Sequence, residues 1–212
     1  MTTAANTQQT TPITAVTLEV TDLDAATRFY ADAFGLGDQL RLRASDSPST
    51  GFRGFTLSLV VSQPADVDAL VDAAIEAGAT VLKPVAKSFW GYGGSVQAPD
   101  GTVWKIASSS KKNTGPATKQ VDDFVLLLGV ADVKATKQFY VEQGLAVSRS
   151  FGSKYVEFEA PAGQLKLALY TRRAAAKDAG IDPEGTGSHR VVVNSTVVSG
   201  ADPDGFPWEA AV

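Results

Sequence analysis

The chain has 212 residues, 44% of them hydrophobic and 20% charged, with 19 basic and 23 acidic side chains and a formal charge of -4. That is the composition of one large or two small folded domains, with no apolar run long enough for a membrane-spanning helix and too little positive charge to attract nucleic acid, so neither is an expected partner. Cysteine is absent and His189 is the single histidine, which removes disulfides, thiolate metal sites and any single-chain site with two histidines.

Residues 1–12, MTTAANTQQTTP, lack the basic and apolar regions of a secretory signal and predict a frayed tail on a cytoplasmic protein. ITAVTLEV (13–20) predicts a strand, after which Asp22 or Thr21 caps a helix carrying Ala25, Ala26, Phe29, Tyr30 and Ala33 on one face, stopped at Gly35. Next comes a strand whose alternation sets Leu40 and Leu42 against Arg41 and Arg43. GFTLSLVV (54–61) predicts another strand, and residues 65–77 a helix with Val67, Leu70, Val71 and Ala74 in one stripe. Short strands follow at TVLKP, GGSVQ and TVWKIA, then SSSKKNTGPATK, a stretch of linker composition. FVLLLGV (124–130) predicts a strand buried on both faces, followed by a helix over 132–143. Strands at LAVSRS, KYVEFEA and LKLALY, a short helix over 172–178, and strands at HRVVVN and PWEAA complete the chain.

The sequence repeats itself. VTDLDAATRFYADAFGL (20–36) matches VADVKATKQFYVEQGL (130–145), and APDGTVWK (98–105) matches ADPDGFPWE (201–209). Two modules, 13–107 and 121–212, therefore flank a linker at 108–120. Each module lacks pieces of the other, and the uncovered sheet edges this leaves would be closed by a homodimer.

A duplicated βαβββ unit that opens with a strand, an Asp and a helix ending Phe-Tyr, and closes with Asp-Gly before Trp, resembles the vicinal oxygen chelate superfamily of glyoxalases, bleomycin-resistance proteins and extradiol dioxygenases. The resemblance implies an α+β fold in which two tandem βαβββ modules form curved mixed sheets enclosing a cup, with helices outside. It also implies metal-ligand positions, which fall here on Ala15, Val125, Lys105 and Glu209. Only Glu209 can bind a divalent metal, the one cofactor the resemblance brings, so the family-type metal site is not expected.

The candidate ligand-binding residues are the aromatics of FWGYGG (Phe89, Trp90 and Tyr92), Arg41 and Arg43, and Tyr155 with Glu157. The aromatics would wall a small-molecule cup, and the charged groups would grip a polar ligand. The bland alternatives are rings filling an interface and charges on wet strand faces. Trp104 and Trp208, at symmetric positions in the repeat, are expected in the core. The candidate catalytic residues are Glu209, His189, Glu157 and Glu159. Three functions stay open: a metal-free small-molecule binder; an enzyme, either a metal-dependent lyase, isomerase or oxygenase, or a metal-free proton-transfer catalyst; and a module whose cup has collapsed.

Overall fold

Alternation along β1 (Ile13–Val20) turns Val16, Leu18 and Val20 to the core, and the same period of two organises the other strands. In the computed structural model, which describes residues 13–161, 164–196 and 198–211, this face packs against α1 (Leu23–Ala33). The tail expected over 1–12 lies outside the described residues. The first half continues with β2 (Leu40–Ala44), β3 (Ser49–Gly51), β4 (Phe55–Val60), α2 (Pro64–Glu76), β5 (Thr80–Ser88), β6 (Gly91–Gln97) and β7 (Val103–Ser108). The second half begins with β8 (Asp123–Val130), α3 (Val133–Glu142), β9 (Val147–Phe151), β10 (Tyr155–Phe158), β11 (Lys166–Thr171) and α4 (Arg172–Ala179). It closes with β12 (Gly185–Gly187), β13 (Val191–Ser195), β14 (Gly200–Ala201) and β15 (Pro207–Ala210). No helix among the described residues is long and apolar enough to cross a membrane.

The fold is α+β, with curved mixed sheets that do not close into a barrel. Every sheet draws on both halves of the chain. One sheet has the order β14-β15-β13-β1-β2, the other β5-β6-β7-β4-β8-β11-β10-β9, and a two-stranded ribbon pairs β12 with β3. The joins are antiparallel: Val16 lies opposite Val193 in the first sheet, and Leu57 opposite Leu126 in the second. One apolar cluster then runs from Leu18 and Trp208 through Tyr30, Leu70 and Tyr140 to Trp104 and Phe158, so both sheets and α1–α3 share a core.

The repeated polar residues act locally. Asp22 caps α1 by accepting from the Ala25 N–H at 2.9 Å, and Asp132 caps α3 by accepting from Lys134 and Ala135. Tyr30 donates to Asp100 at 2.9 Å and Tyr140 to Asp202 at 2.6 Å. The second contact breaks the sequence alignment, because Asp204, the partner of Asp100 in the repeat, instead accepts from the Ala131 N–H and the Thr136 hydroxyl.

The stretch between the halves is strapped to the start of α2. Gln63 Oε1 accepts from the backbone of Thr114 and Gly115, and its Nε2 donates to the Pro116 carbonyl. Asp66, fully buried, accepts from the N–H groups of Thr118 and Lys119. Burial alone would raise the Asp66 carboxyl, but these backbone hydrogen bonds outweigh it and hold the group below its ordinary value.

α4 departs from the expectation that helices lie outside. It sits on the face of the eight-stranded sheet opposite the common core, where the resemblance places the cup. Ala175, Ala176 and Ala179 are fully buried there against Leu127, Ala168, Val103 and Phe52. Only small side chains allow so close an approach: a Cβ at Gly129 would lie 3.0 Å from the Arg172 Cα and 3.2 Å from the Ala175 Cβ. Ser95 donates to the Ala179 carbonyl at 2.6 Å, and Lys83 donates to the last carbonyls of the helix at Lys177 and Asp178.

Two outcomes are expected. Asp66→Ala should lower stability by about 1.5–3 kcal/mol at neutral pH in urea unfolding. Because the folded-state value is depressed, that gap should be full above the unfolded-state value of about 4 and close as the pH falls below it. Ala175→Leu should cost about 1–3 kcal/mol through overpacking, read by the same measurement together with faster amide exchange in α4.

Candidate functional site

The four positions that the resemblance assigns to metal ligands fall into two matching rows. In the five-stranded sheet Ala15 lies opposite Asn194, and Asn194 opposite Glu209. In the eight-stranded sheet Val125 lies opposite Ser58, and Ser58 opposite Lys105. Each row thus brings together one aliphatic and one charged family position, separated by a single strand.

Both charged members are taken up by ion pairs within the protein. Lys105 Nζ pairs with the Asp178 carboxylate on α4. Glu209 accepts both its contacts from Arg43 Nη1, at 3.0 and 3.1 Å, while Arg43 Nη2 reaches Glu19 at 2.7 Å. Hydrogen bonds from Arg43 to Glu19 and Glu209 raise the guanidinium above its ordinary value. The Arg43 and Glu209 side chains are 42% and 49% exposed, so the pair orders the strand face more than it stabilises the fold. Beside it Thr17 donates to Asn194 Oδ1 at 2.7 Å.

These residues do not fit the family's metal ion. A divalent catalytic site needs about three protein donors, and an ammonium in one row and a guanidinium in the other repel a cation. Among the described residues no three of the His, Asp and Glu side chains gather as ligands.

The proposed ligand-binding residues are not brought together. Phe89 and Trp90 form the tip of the β5–β6 hairpin, each 84% exposed, with ring centroids 5.0 Å apart. Tyr92 turns the other way and donates to Asp68 on α2 at 2.7 Å. Arg41 and Arg43 lie on the five-stranded sheet and Tyr155 and Glu157 on the eight-stranded one. Each pair sits on the face turned away from the shared core, because Leu40, Leu42, Val156 and Phe158 take the inner positions. Tyr155 and Glu157 do meet: the phenol donates to Glu157 Oε2 at 2.7 Å, and burial followed by that contact pushes the phenol well up. Glu159 is exposed just beyond β10. Trp104 and Trp208 are buried, as expected.

His189 stacks on Phe206 with centroids 4.0 Å apart. Its Nδ1 lies 2.6 Å from the Arg53 carbonyl and its Nε2 3.3 Å from the Asp204 carbonyl. A neutral imidazole donates to one of these two carbonyls, the tautomer deciding which, and the ring lies between two loops with each nitrogen facing backbone.

Open space occurs where the sequence does not advertise it. A cleft of about 730 Å³ runs beside α4, lined by the charged residues Arg172, Arg173, Lys177, Asp182 and Glu184 together with Ile181, Pro183 and Gly185. A smaller cavity of about 120 Å³ adjoins it under the β3–β12 ribbon and shares Arg172 and Gly185 with it. The similarity of TGFRGFT (50–56) to TGSHRVV (186–192) was the signal available, since these segments are the ones that meet at the ribbon.

No protein-family model matches the sequence, and no curated protein does. Solved structures do match in shape. Glyoxalase I from Zea mays superposes with a TM-score of 0.60 at 13% identity, over 94% of this chain and 91% of that one. A Glu-to-Gln variant of the same maize enzyme gives 0.60 at 14% identity, over 94% of this chain and 92% of that one. A provisionally assigned dioxygenase from Bacillus subtilis gives 0.53 at 13% identity, over 92% of this chain and 73% of that one. Identities this low speak to architecture alone, and that architecture matches what the paired motifs imply: the chain has the fold of the vicinal oxygen chelate superfamily.

Proposed function

We propose that this protein binds a small organic molecule without a family-type metal ion, in the cleft beside α4. The observation that carries this reading is the fate of the two charged family positions, with Lys105 engaged by Asp178 and Glu209 by Arg43. A binder needs no electrophile, only a concave surface with apolar walls and a few placed polar groups. The cleft sets two apolar residues, Ile181 and Pro183, among the charged Arg172, Arg173, Lys177, Asp182 and Glu184, a lining that suits a polar organic ligand with a small apolar part.

The enzymatic alternatives have less support. Glu209 lacks companion ligands, His189 is committed to two carbonyls, and Glu157 to Tyr155. A collapsed module is favoured by one observation, the filling of the cup by α4, but the adjoining cleft provides space elsewhere.

Elemental analysis after incubation with zinc, nickel and manganese should find no stoichiometric ion, and one bound ion per chain would overturn the metal-free reading. In a thermal-shift screen of small organic acids and aromatics, a hit should raise the melting temperature in proportion to the logarithm of its concentration. Ile181→Asp should abolish that shift and Trp90→Ala should leave it intact; the reverse pattern would return the site to the hairpin.

A further inference from the structure

Three guanidinium groups at the β3–β12 ribbon take backbone oxygens rather than carboxylates as their partners. Arg53 donates to the Asp100 carbonyl, Arg172 to the carbonyls of Phe52 and Pro183, and Arg190 to those of Ser45 and Ser47. None of the three forms an ion pair among the described residues. Buried charges in folded proteins are ordinarily paired. Here Arg190 is only 8% exposed, and both its Nε and Arg53 Nη1 are buried without a hydrogen-bond partner. Burial first, then the like charge of Arg190, hold the Arg53 guanidinium below its ordinary value, against an opposing pull from Asp100.

The adjoining cavity of about 120 Å³ is lined by Arg53, Arg172, His189, Thr186 and Ser188 with glycine backbone, and by no acidic side chain. It exceeds the roughly 30 Å³ share of a single water. Ser188 Oγ accepts from the Arg190 N–H at 3.0 Å, which leaves its hydroxyl proton to donate. Arg172 is fixed by its two carbonyl contacts and by lying 5.3 Å over the Phe52 ring. A planar cation held in this way is preorganised for an oxyanion.

We infer that this cavity is an oxyanion site, taking the carboxylate or phosphate group of a small molecule between Arg53, Arg172 and Ser188. Because the cavity shares Arg172 and Gly185 with the cleft, the inference deepens the proposed small-molecule site and rests on it for the organic part of the ligand. The anionic group enters the cavity and the remainder lies along Ile181 and Pro183.

The test uses the full chain and small anions alone. Inorganic phosphate and acetate are each titrated by calorimetry against chloride at matched ionic strength, with amide chemical shifts followed in parallel. Saturable binding of at least one anion is expected, with shifts centred on Arg53 and Gly185–Arg190. Which anion binds decides between phosphate and carboxylate. Ser188→Ala should weaken binding about threefold, and Arg172→Met about tenfold or more. Should Arg172→Met unfold α4, Ser188→Ala and the shift map still decide. No saturation with either anion, or shifts centred elsewhere, overturns the inference. Anion binding without any organic ligand for the cleft would leave this site standing and remove the larger reading.

Discussion

The constraint on which the rest of the structure depends is the antiparallel pairing of strands across the two halves, β1 with β13 and β4 with β8. Neither half has a complete sheet of its own. β1 has only the short β2 as a neighbour from its own half, and β13 continues only into β15 and β14. Hydrogen bonding across the halves removes the edges that each would otherwise expose, and it places α1, α2 and α3 around one apolar cluster rather than two. The buried contacts of Gln63 and Asp66 reinforce this arrangement by holding the connecting stretch against α2.

Strand exchange also decides what the sheet faces can do. Each sheet receives one position of each family ligand type, in a row with a single strand between them. The two rows that the resemblance marks as metal-ligand positions are therefore formed, with Ala15 and Glu209 in one and Val125 and Lys105 in the other. In one row an ammonium meets a carboxylate from α4, and in the other a guanidinium bridges two carboxylates. Such pairs contribute little to stability where solvent reaches them. The alanine face of α4 then closes the larger sheet, and the space that remains lies at its margin, bordered by Arg53 and Arg172, which form no ion pair among the described residues.

Much of the architecture was legible in the sequence. The period of two in ITAVTLEV, a cap at Asp22, the Phe-Tyr helix ends and the paired Asp-Gly and Trp positions are local or repeated signals, and each occupies its expected element; Asp132, read as the first residue of its helix, is instead its cap. The symmetric tryptophans are buried because both copies of the motif need the same packing. The site was much less legible. FWGYGG has the composition of a binding loop, yet hairpin geometry puts Phe89 and Trp90 at an exposed tip and turns Tyr92 to α2. Residues 172–178 were recognisable as a helix, but nothing in their spacing says which face of which sheet they cover.

What the sequence determines alone is what depends on nearest neighbours along the chain: strand and helix positions, caps, turns and the duplication. What only the tertiary structure decides is which strands pair across the halves, that Asp202 rather than Asp204 receives Tyr140, and that Arg53, Arg172, Ser188 and His189 border one cavity beside the β3–β12 ribbon. These are contacts between residues far apart in the chain. They are selected by the joint burial of apolar surface and the pairing of backbone groups over the whole molecule, and no local pattern encodes that sum.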